Sequence, residues 1–333
     1  MAEPPQEKEK EEMKAFITGY AGLIGAPLTR QLIDKGWKVY GLDMSNTGTL
    51  EHYGLIGQVT LQQLVGMVGS VLDLPTILHA VRDADIIIHL AAQSGVWQSR
   101  EEGYKAWELN FMGTLNALES ARIKDKPIII ASSNHVYGNA SFYPTPESGI
   151  PNRFDPYSAS KIAGDIAARS YAETYGVQVV SIRNTNCFGP ADPHTDHIIP
   201  GTILSVLRGE APVIRSSGRT SKNYLHVDDV ASAYALAAEA MLAGKMKSPA
   251  VYNVSDNAKP STVVDLVTAI IRLMGSDLTP VIAGADQPDD VNEQLDSSMF
   301  RALTGWKSRP LEDALYQVIE SFKLRFPQKA GVL

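Results

Sequence analysis

The chain holds a single cysteine, Cys187, so no intrachain disulfide can form and nothing in cysteine usage calls for an oxidising compartment. Beside an apolar stretch, that cysteine reads as a small core residue rather than a nucleophile or metal ligand. Apolar runs of membrane-spanning length are lacking, and so is an apolar signal core behind a basic start; the expected location is the cytoplasm. Excess positive charge is lacking too. Lys and Arg total 30 against 37 Asp and Glu, a formal net charge of −7. That balance argues against a sequence-independent nucleic-acid binder, which needs a basic face, so a phosphate-bearing ligand must be held by local donors. Internal repeats are absent, and low complexity is confined to residues 1–12, a Glu/Lys/Pro-rich stretch expected to be a disordered tail.

What is present is enough apolar sequence for a large core: 333 residues, 44% hydrophobic. The first half alternates strand and helix patterns, which predicts a parallel sheet covered on both faces. Strands are expected at Ala15–Thr18, Lys38–Leu42, Ile86–Leu90, Ile128–Ser132 and Val179–Arg183. Helices are expected over Leu23–Lys35, Tyr104–Arg122 and Tyr157–Tyr175, then Val230–Leu242, Val263–Met274 and Leu311–Phe326. The fold class that follows is α/β: a Rossmann-type doubly wound parallel sheet with a smaller C-terminal α/β domain. The expected division places a dinucleotide-binding domain at 13–186, with a returning segment near 224–245, and a mainly substrate-binding domain at 187–333, closing the cleft at the carboxyl ends of the strands.

Two motifs carry chemistry. Thr18-Gly19-Tyr20-Ala21-Gly22-Leu23-Ile24-Gly25 joins the first strand to the first helix, where glycines let backbone amides approach a pyrophosphate at a helix N-terminus. Asp43 ends the second strand, placed to accept from adenosine ribose hydroxyls and to repel a 2′-phosphate, which favours NAD over NADP. Tyr157 and Lys161 are four residues apart and share a helix face. A nearby ammonium favours a phenolate, as a general base at neutral pH requires. Upstream, Ser132-Ser133-Asn134-His135-Val136-Tyr137-Gly138 ends a strand and offers a hydroxyl for the same substrate oxygen.

These residues together resemble the extended short-chain dehydrogenase/reductase family, in particular its NAD-dependent nucleotide-sugar epimerase/dehydratase group. The likeness covers nearly the whole chain from Met13. It implies Ser133, Tyr157 and Lys161 as the catalytic residues. It implies NAD contacts from Gly19, Gly22, Leu23, Ile24, Gly25, Asp43, Asp73, Leu74, Leu90, Ala91, Ala92, Asn110, Tyr157, Lys161, Asn184 and Thr185. Ser94, Asn134, His135, Asn186, Arg219, Lys222 and Gln287 fall on the substrate side, with Asn186 matching the asparagine offered to a substrate phosphate. The segment Tyr224-Leu225-His226-Val227-Asp228-Asp229-Val230 and the pair Gly305-Trp306 are similar to family sequences, and a homodimer through the helices Tyr104–Arg122 and Tyr157–Tyr175 is implied.

The departures are informative. Dehydratases of this group carry Asp-Glu where Asn134-His135 stand, which disfavours a 4,6-dehydratase, and decarboxylating members carry Glu at the place of His135. Arginines that grip a nucleotide diphosphate are replaced, at Lys222-Asn223-Tyr224 and at Gln287-Pro288-Asp289-Asp290. Lysine meets a phosphate only as a point charge, and Gln287 brings none. Arg215 and Arg219, on one predicted loop, either compensate or are simply solvated. His135, His194 and His197 have no trusted metal-ligand spacing, so no metal is expected. The reading is an NAD-dependent carbohydrate enzyme, with a nucleotide-sugar 4-epimerase in front. The alternatives are a net dehydrogenase or reductase of a free sugar or sugar acid and, from another class, a non-catalytic NAD-binding regulator.

Overall fold

The computed structural model describes residues 12–45, 48–55, 62–81, 83–257, 259–285 and 291–326. Residues 1–11 of the expected tail and Gln287 lie outside them. Seven parallel strands form the central sheet: β1 Lys14–Thr18, β2 Lys38–Asp43, β3 Leu64–Val68, β4 Ile86–His89, β5 Ile128–Ala131, β6 Val179–Asn184 and, beyond the intervening short strands, β11 Ala250–Val254. Their order is β11-β6-β5-β4-β1-β2-β3. Runs such as Ile86-Ile87-Ile88 and Ile128-Ile129-Ile130 are buried throughout, as befits parallel strands covered on both faces. The order reverses direction between β1 and β4, the place where doubly wound sheets bind ligands.

On one face, α1 Gly25–Asp34 and α9 Val227–Leu242 cover the sheet, with α2 Gly48–His52 nearby in sequence. Leu28 and Leu32 meet Val230 and Tyr234 in a core shared with Ile17, Ile88 and Val180. The other face carries α3 Leu74–Val81, α6 Gly113–Lys124 and α7 Pro156–Tyr175, whose apolar residues pack on Phe16, Ile87 and Ile130. α4 Val96–Glu101 and α5 Gly103–Trp107 precede α6. The start of α7 is specified locally: Asp155 accepts from the Ser158 amide at 3.0 Å and Pro156 opens the helix.

The remaining elements form small pairs and a third core. β7 Asn186–Phe188 pairs with β10 Tyr224–His226, β8 Val213–Ile214 with β13 Val281–Ile282, and β9 Ser221–Lys222 with β12 Ser261–Thr262. Around them, α8 Ile198–Leu207, α10 Val263–Leu273 and α12 Leu311–Arg325 bury Ile203, Leu266, Ile270, Leu315 and Phe322 together. α11 Ser298–Thr304 instead joins the sheet through Phe300.

Three expectations need correction. The helix expected over Tyr104–Arg122 is three consecutive pieces, because a π-helical turn, Glu108–Met112, lies between α5 and α6. β3 was not foreseen. Nor was β11, whose residues the sequence pattern leaves in the C-terminal part although they pair with β6 from Ala250 opposite Val180 to Val254 opposite Asn184.

Candidate active site

The glycine loop leaves β1 at the carboxyl edge of the sheet and enters α1. Gly19 has φ +74°, and a Cβ there would stand 2.8 Å from the Ala91 amide nitrogen; at Gly25 a Cβ would stand 1.9 Å from the Gly19 carbonyl oxygen. Only glycine fits either place. Leu23 and Ile24 lead into α1, whose first turn has no side-chain cap and no acidic residue, so its positive dipole end faces an anion unopposed, although Ala26 gives its amide to the Gly22 carbonyl at 3.1 Å and Pro27 has none. Asp43 ends β2 and accepts from the Ala21 amide at 3.1 Å and the Met44 amide at 2.7 Å. Burial pushes its carboxyl above the ordinary range against those amides. Asp73 precedes α3 and accepts from the Thr76 hydroxyl, and Leu74 begins that helix.

Leu90, Ala91 and Ala92 follow β4 across the switch point. The Leu90 and Ala91 amides bond the Thr18 carbonyl and hydroxyl at 3.1 and 3.3 Å. Beneath them His89 is buried between the Thr18 and Thr114 hydroxyls, at 2.8 and 3.2 Å, and burial lowers its pKa to about 3. Asn110 sits in the π-helical turn and reaches the Gln93 backbone and the Ser160 hydroxyl; such turns recur at functional sites. The cradle of glycines, the positive end of α1 and the Asp43 carboxylate fits a dinucleotide.

Ser133, Tyr157 and Lys161 converge at the ends of β5 and α7. Ser133 is buried and its hydroxyl accepts from the His135 amide at 3.2 Å. Burial pushes the Tyr157 phenol up to about 12, and the Ser133 hydrogen bond draws it back. Lys161 places its Nζ 2.9 Å from the Ala131 carbonyl oxygen, and burial lowers its pKa to about 8 against the pull of Asp165. The expected lowering of Tyr157 by Lys161 is therefore corrected: Ser133 does the lowering and burial outweighs it. Asp165 also accepts from Ser132 and from Arg183, at 3.0 and 2.8 Å.

Four residues read from the sequence as substrate contacts are drawn instead onto a carboxylate that sequence reasoning missed. Glu293 Oε2 accepts from Asn186 Nδ2 at 2.7 Å and Asn134 Nδ2 at 3.1 Å, with Lys222 Nζ at 3.3 Å. Its Oε1 faces His135 Nδ1 at 3.1 Å and Arg153 Nη1 at 3.6 Å. Only 2% of the side chain is exposed, yet its neighbours keep it well below the usual carboxylate range, His135 foremost and then Lys222. Backbone bonds hold it from both sides, its amide to Ser221 and its carbonyl to the Asn223 amide, at 2.9 and 3.0 Å. No motif marks it; the only pointer was the neighbouring segment from Gln287. Lys222 and Asn186 are thus engaged within the protein, not presented bare to a phosphate.

Other expected residues divide between the cleft and the frame. Ser94 Oγ lies 3.5 Å from His194 Nε2, and His194 stacks on His197 at 4.7 Å, which pairs with Asp192 at 3.0 Å. Among the described residues no metal-binding cluster occurs. Asn184 accepts from the Tyr234 hydroxyl at 3.2 Å, while Thr185 is buried and donates to the Asn223 carbonyl at 2.9 Å. Arg215 and Arg219 are exposed. Cys187 is held protonated, its thiol pushed up to about 12 by burial. The Asp228-Asp229 pair and Trp306 belong to the frame: Trp306 Nε1 donates to the Asp229 carbonyl at 3.0 Å, and Arg309 Nη2 pairs with the Asp229 carboxylate at 3.0 Å.

A doubly wound parallel sheet with a glycine cradle at its switch point, and Ser, Tyr and Lys beside it, defines an extended short-chain dehydrogenase/reductase. Residues 15–255 match the model of the NAD dependent epimerase/dehydratase family, and the chain belongs to that family; NAD is the family's cofactor. A UDP-glucose 4-epimerase of Mycolicibacterium smegmatis is 29% identical over 317 residues, 93% of this chain and 99% of that protein. UDP-glucuronic acid decarboxylase 1 of Xenopus tropicalis is 27% identical over 333 residues, 97% of this chain and 75% of that protein. Among solved structures, the UDP-glucose 4-epimerase of Thermotoga maritima, determined with UDP-glucose, superposes with a TM-score of 0.83 at 27% identity, covering 94% of this chain and 99% of that one. Among the described residues, no helix is long and apolar enough to cross a membrane.

Proposed function

We propose that the protein is a cytoplasmic nucleotide-sugar 4-epimerase, and that Ser133, Tyr157 and Lys161 do its chemistry. The observation that carries this reading is their meeting beside the glycine cradle at the carboxyl edge of the sheet. Gly19, Gly22 and Gly25 with the positive end of α1 would hold the pyrophosphate, and Asp43 the adenosine ribose. Bound NAD supplies a reversible hydride acceptor. Tyr157 takes the proton of a secondary sugar hydroxyl, Ser133 holds that oxygen and draws the phenol down, and Lys161 binds the nicotinamide ribose. Epimerisation further requires the keto sugar to turn over and accept hydride on its other face.

Residues 187–333 would mainly hold the substrate, with the exposed Arg219 and, across the cleft, Ser94 facing it. A second reading, net oxidation of a free sugar, is favoured by one observation: Lys222 and Asn186 are held by Glu293, which weakens the grip on a diphosphate. The test is incubation with NAD and UDP-glucose. UDP-galactose formed without net NADH supports the epimerase. NADH in proportion to product, from glucose or glucuronate and indifferent to nucleotide, replaces it with the dehydrogenase.

A further inference from the structure

Glu293 lies outside the Ser133–Tyr157–Lys161 chemistry, yet a chain of hydrogen bonds joins it to Ser133. Glu293 Oε2 accepts from Asn134 Nδ2 at 3.1 Å, and Asn134 Oδ1 accepts from the Ser133 hydroxyl at 3.3 Å. All three residues are buried. A carboxylate only accepts, so the Asn134 amide turns its NH2 to Glu293 and leaves its carbonyl for Ser133. The carboxylate is itself fixed: its main chain is bonded to Ser221 and Asn223 at 2.9 and 3.0 Å, and Asn186 and Lys222 hold the same oxygen. A serine hydroxyl has one hydrogen to give. Ser133 draws the Tyr157 phenol down by giving it that hydrogen, and Asn134 Oδ1 competes for it. The His135 amide, at 3.2 Å, only donates to Ser133 Oγ and leaves the competition untouched. Around Tyr157 stand Ser133 and His135 after β5, Asp155 at the start of its own helix, Cys187 of β7, Tyr234 of α9, and Glu293. Burial holds the phenol up, Ser133 draws it down, and Cys187, Asp155 and Glu293 add to the rise.

We propose that Glu293 is a positioning residue of the active site: by fixing the Asn134 amide it turns the Ser133 hydrogen away from Tyr157, and so sets how readily the phenol becomes a base. Less phenolate is then present at a given pH, and what is present is the stronger base. The inference rests on the roles given to Ser133 and Tyr157 above, and holds whichever sugar the cleft takes.

The test reads ionisation rather than turnover. It takes the tyrosinate absorbance of the full chain at about pH 11, minus that of its Tyr157→Phe counterpart, with circular dichroism to show that each protein is folded. With the phenol near 12, about a tenth of Tyr157 is ionised there in the wild type. Glu293→Met combined with Lys222→Met replaces the ion pair without changing net charge, and frees the Asn134 amide to turn. Asn134→Ala removes the competing acceptor and keeps both charges. Each is expected to raise the ionisation constant about tenfold, so that about half of Tyr157 is ionised. In a Ser133→Ala background neither is expected to change the fraction, a non-additivity that a merely structural role would not produce. An unchanged fraction in either variant, or a rise that persists in Ser133→Ala, overturns the proposal. If the Glu293→Met/Lys222→Met protein is unfolded, Asn134→Ala decides alone. Want of turnover on every sugar fells the carbohydrate reading and leaves this result standing.

Discussion

Tyr157 and Lys161 are both held by burial in their uncharged direction, the phenol up to about 12 and the ammonium down to about 8. A pair tuned this way is costly to the fold and useful to the chemistry. Tyr157→Phe removes the proton acceptor while leaving the ring in place, and is expected to lower kcat by about 10²–10⁴-fold, read as conversion of UDP-glucose, with NAD affinity retained. Lys161→Met has a signature in stability. Its folded pKa of about 8 lies below the ordinary 10.5, so between those values the unfolded chain holds more protons and stability rises with pH. The cost of burying the ammonium is complete below pH 8 and vanishes as pH passes 10.5. The melting temperature of Lys161→Met minus that of the wild type should therefore hold level up to about pH 8 and shrink from there to pH 10; a difference that stays constant to pH 10 refutes the account.

At the scale of elements, the loop from Gly19 to Gly25 has no room for a methyl group, since a Cβ on Gly25 would sit 1.9 Å from the Gly19 carbonyl oxygen. Gly25→Ala must displace backbone, and is expected to destabilise by about 1–3 kcal/mol or more and to abolish the thermal shift produced by NAD, measured by urea titration and by melting with and without the cofactor. That loop was legible because its glycines are a backbone requirement written in residue type. The strands β4 and β5 were legible as unbroken isoleucine runs. β3 was not, although Leu64-Val65-Gly66-Met67-Val68 is apolar: as an edge strand it leaves Val65, Gly66 and Val68 exposed, so its five residues carry no alternation of apolar and polar side chains to mark a strand. The π-helical turn at Glu108–Met112 shifts a helical register by one residue without any breaker in the sequence. Glu293 was invisible for a different reason: it sits outside any helix or main-sheet strand, and its partners come from positions 134, 135, 153, 186 and 222, gathered only by folding.

For the molecule as a whole, two buried histidines set the acid limit. His89 and His226 are lowered to about 3 and about 4, chiefly by burial, so the unfolded chain takes protons near pH 6.5 that the folded chain refuses. Stability they contribute is complete above pH 6.5 and is lost as pH falls towards 3. The melting temperature is expected to start falling near pH 6.5, well above the carboxylate range, and a plateau down to pH 5 would refute the assignment. The surface poses the opposite question, since apolar side chains are left uncovered along α5, the π-helical turn and α7. Tyr104 is 83% exposed and Ile166 66%, with Trp107 and Met112 exposed beside them in sequence. Apolar side chains exposed on elements that pack on one another suit an interface, and the isologous contact of a two-fold dimer would pair such a face with itself. The protein is expected to sediment as a homodimer, and Ile166→Glu, which forces a charge into each half of that contact, is expected to sediment as a folded monomer. A monomeric wild type, or a dimer undisturbed by the substitution, would place the interface elsewhere or remove it.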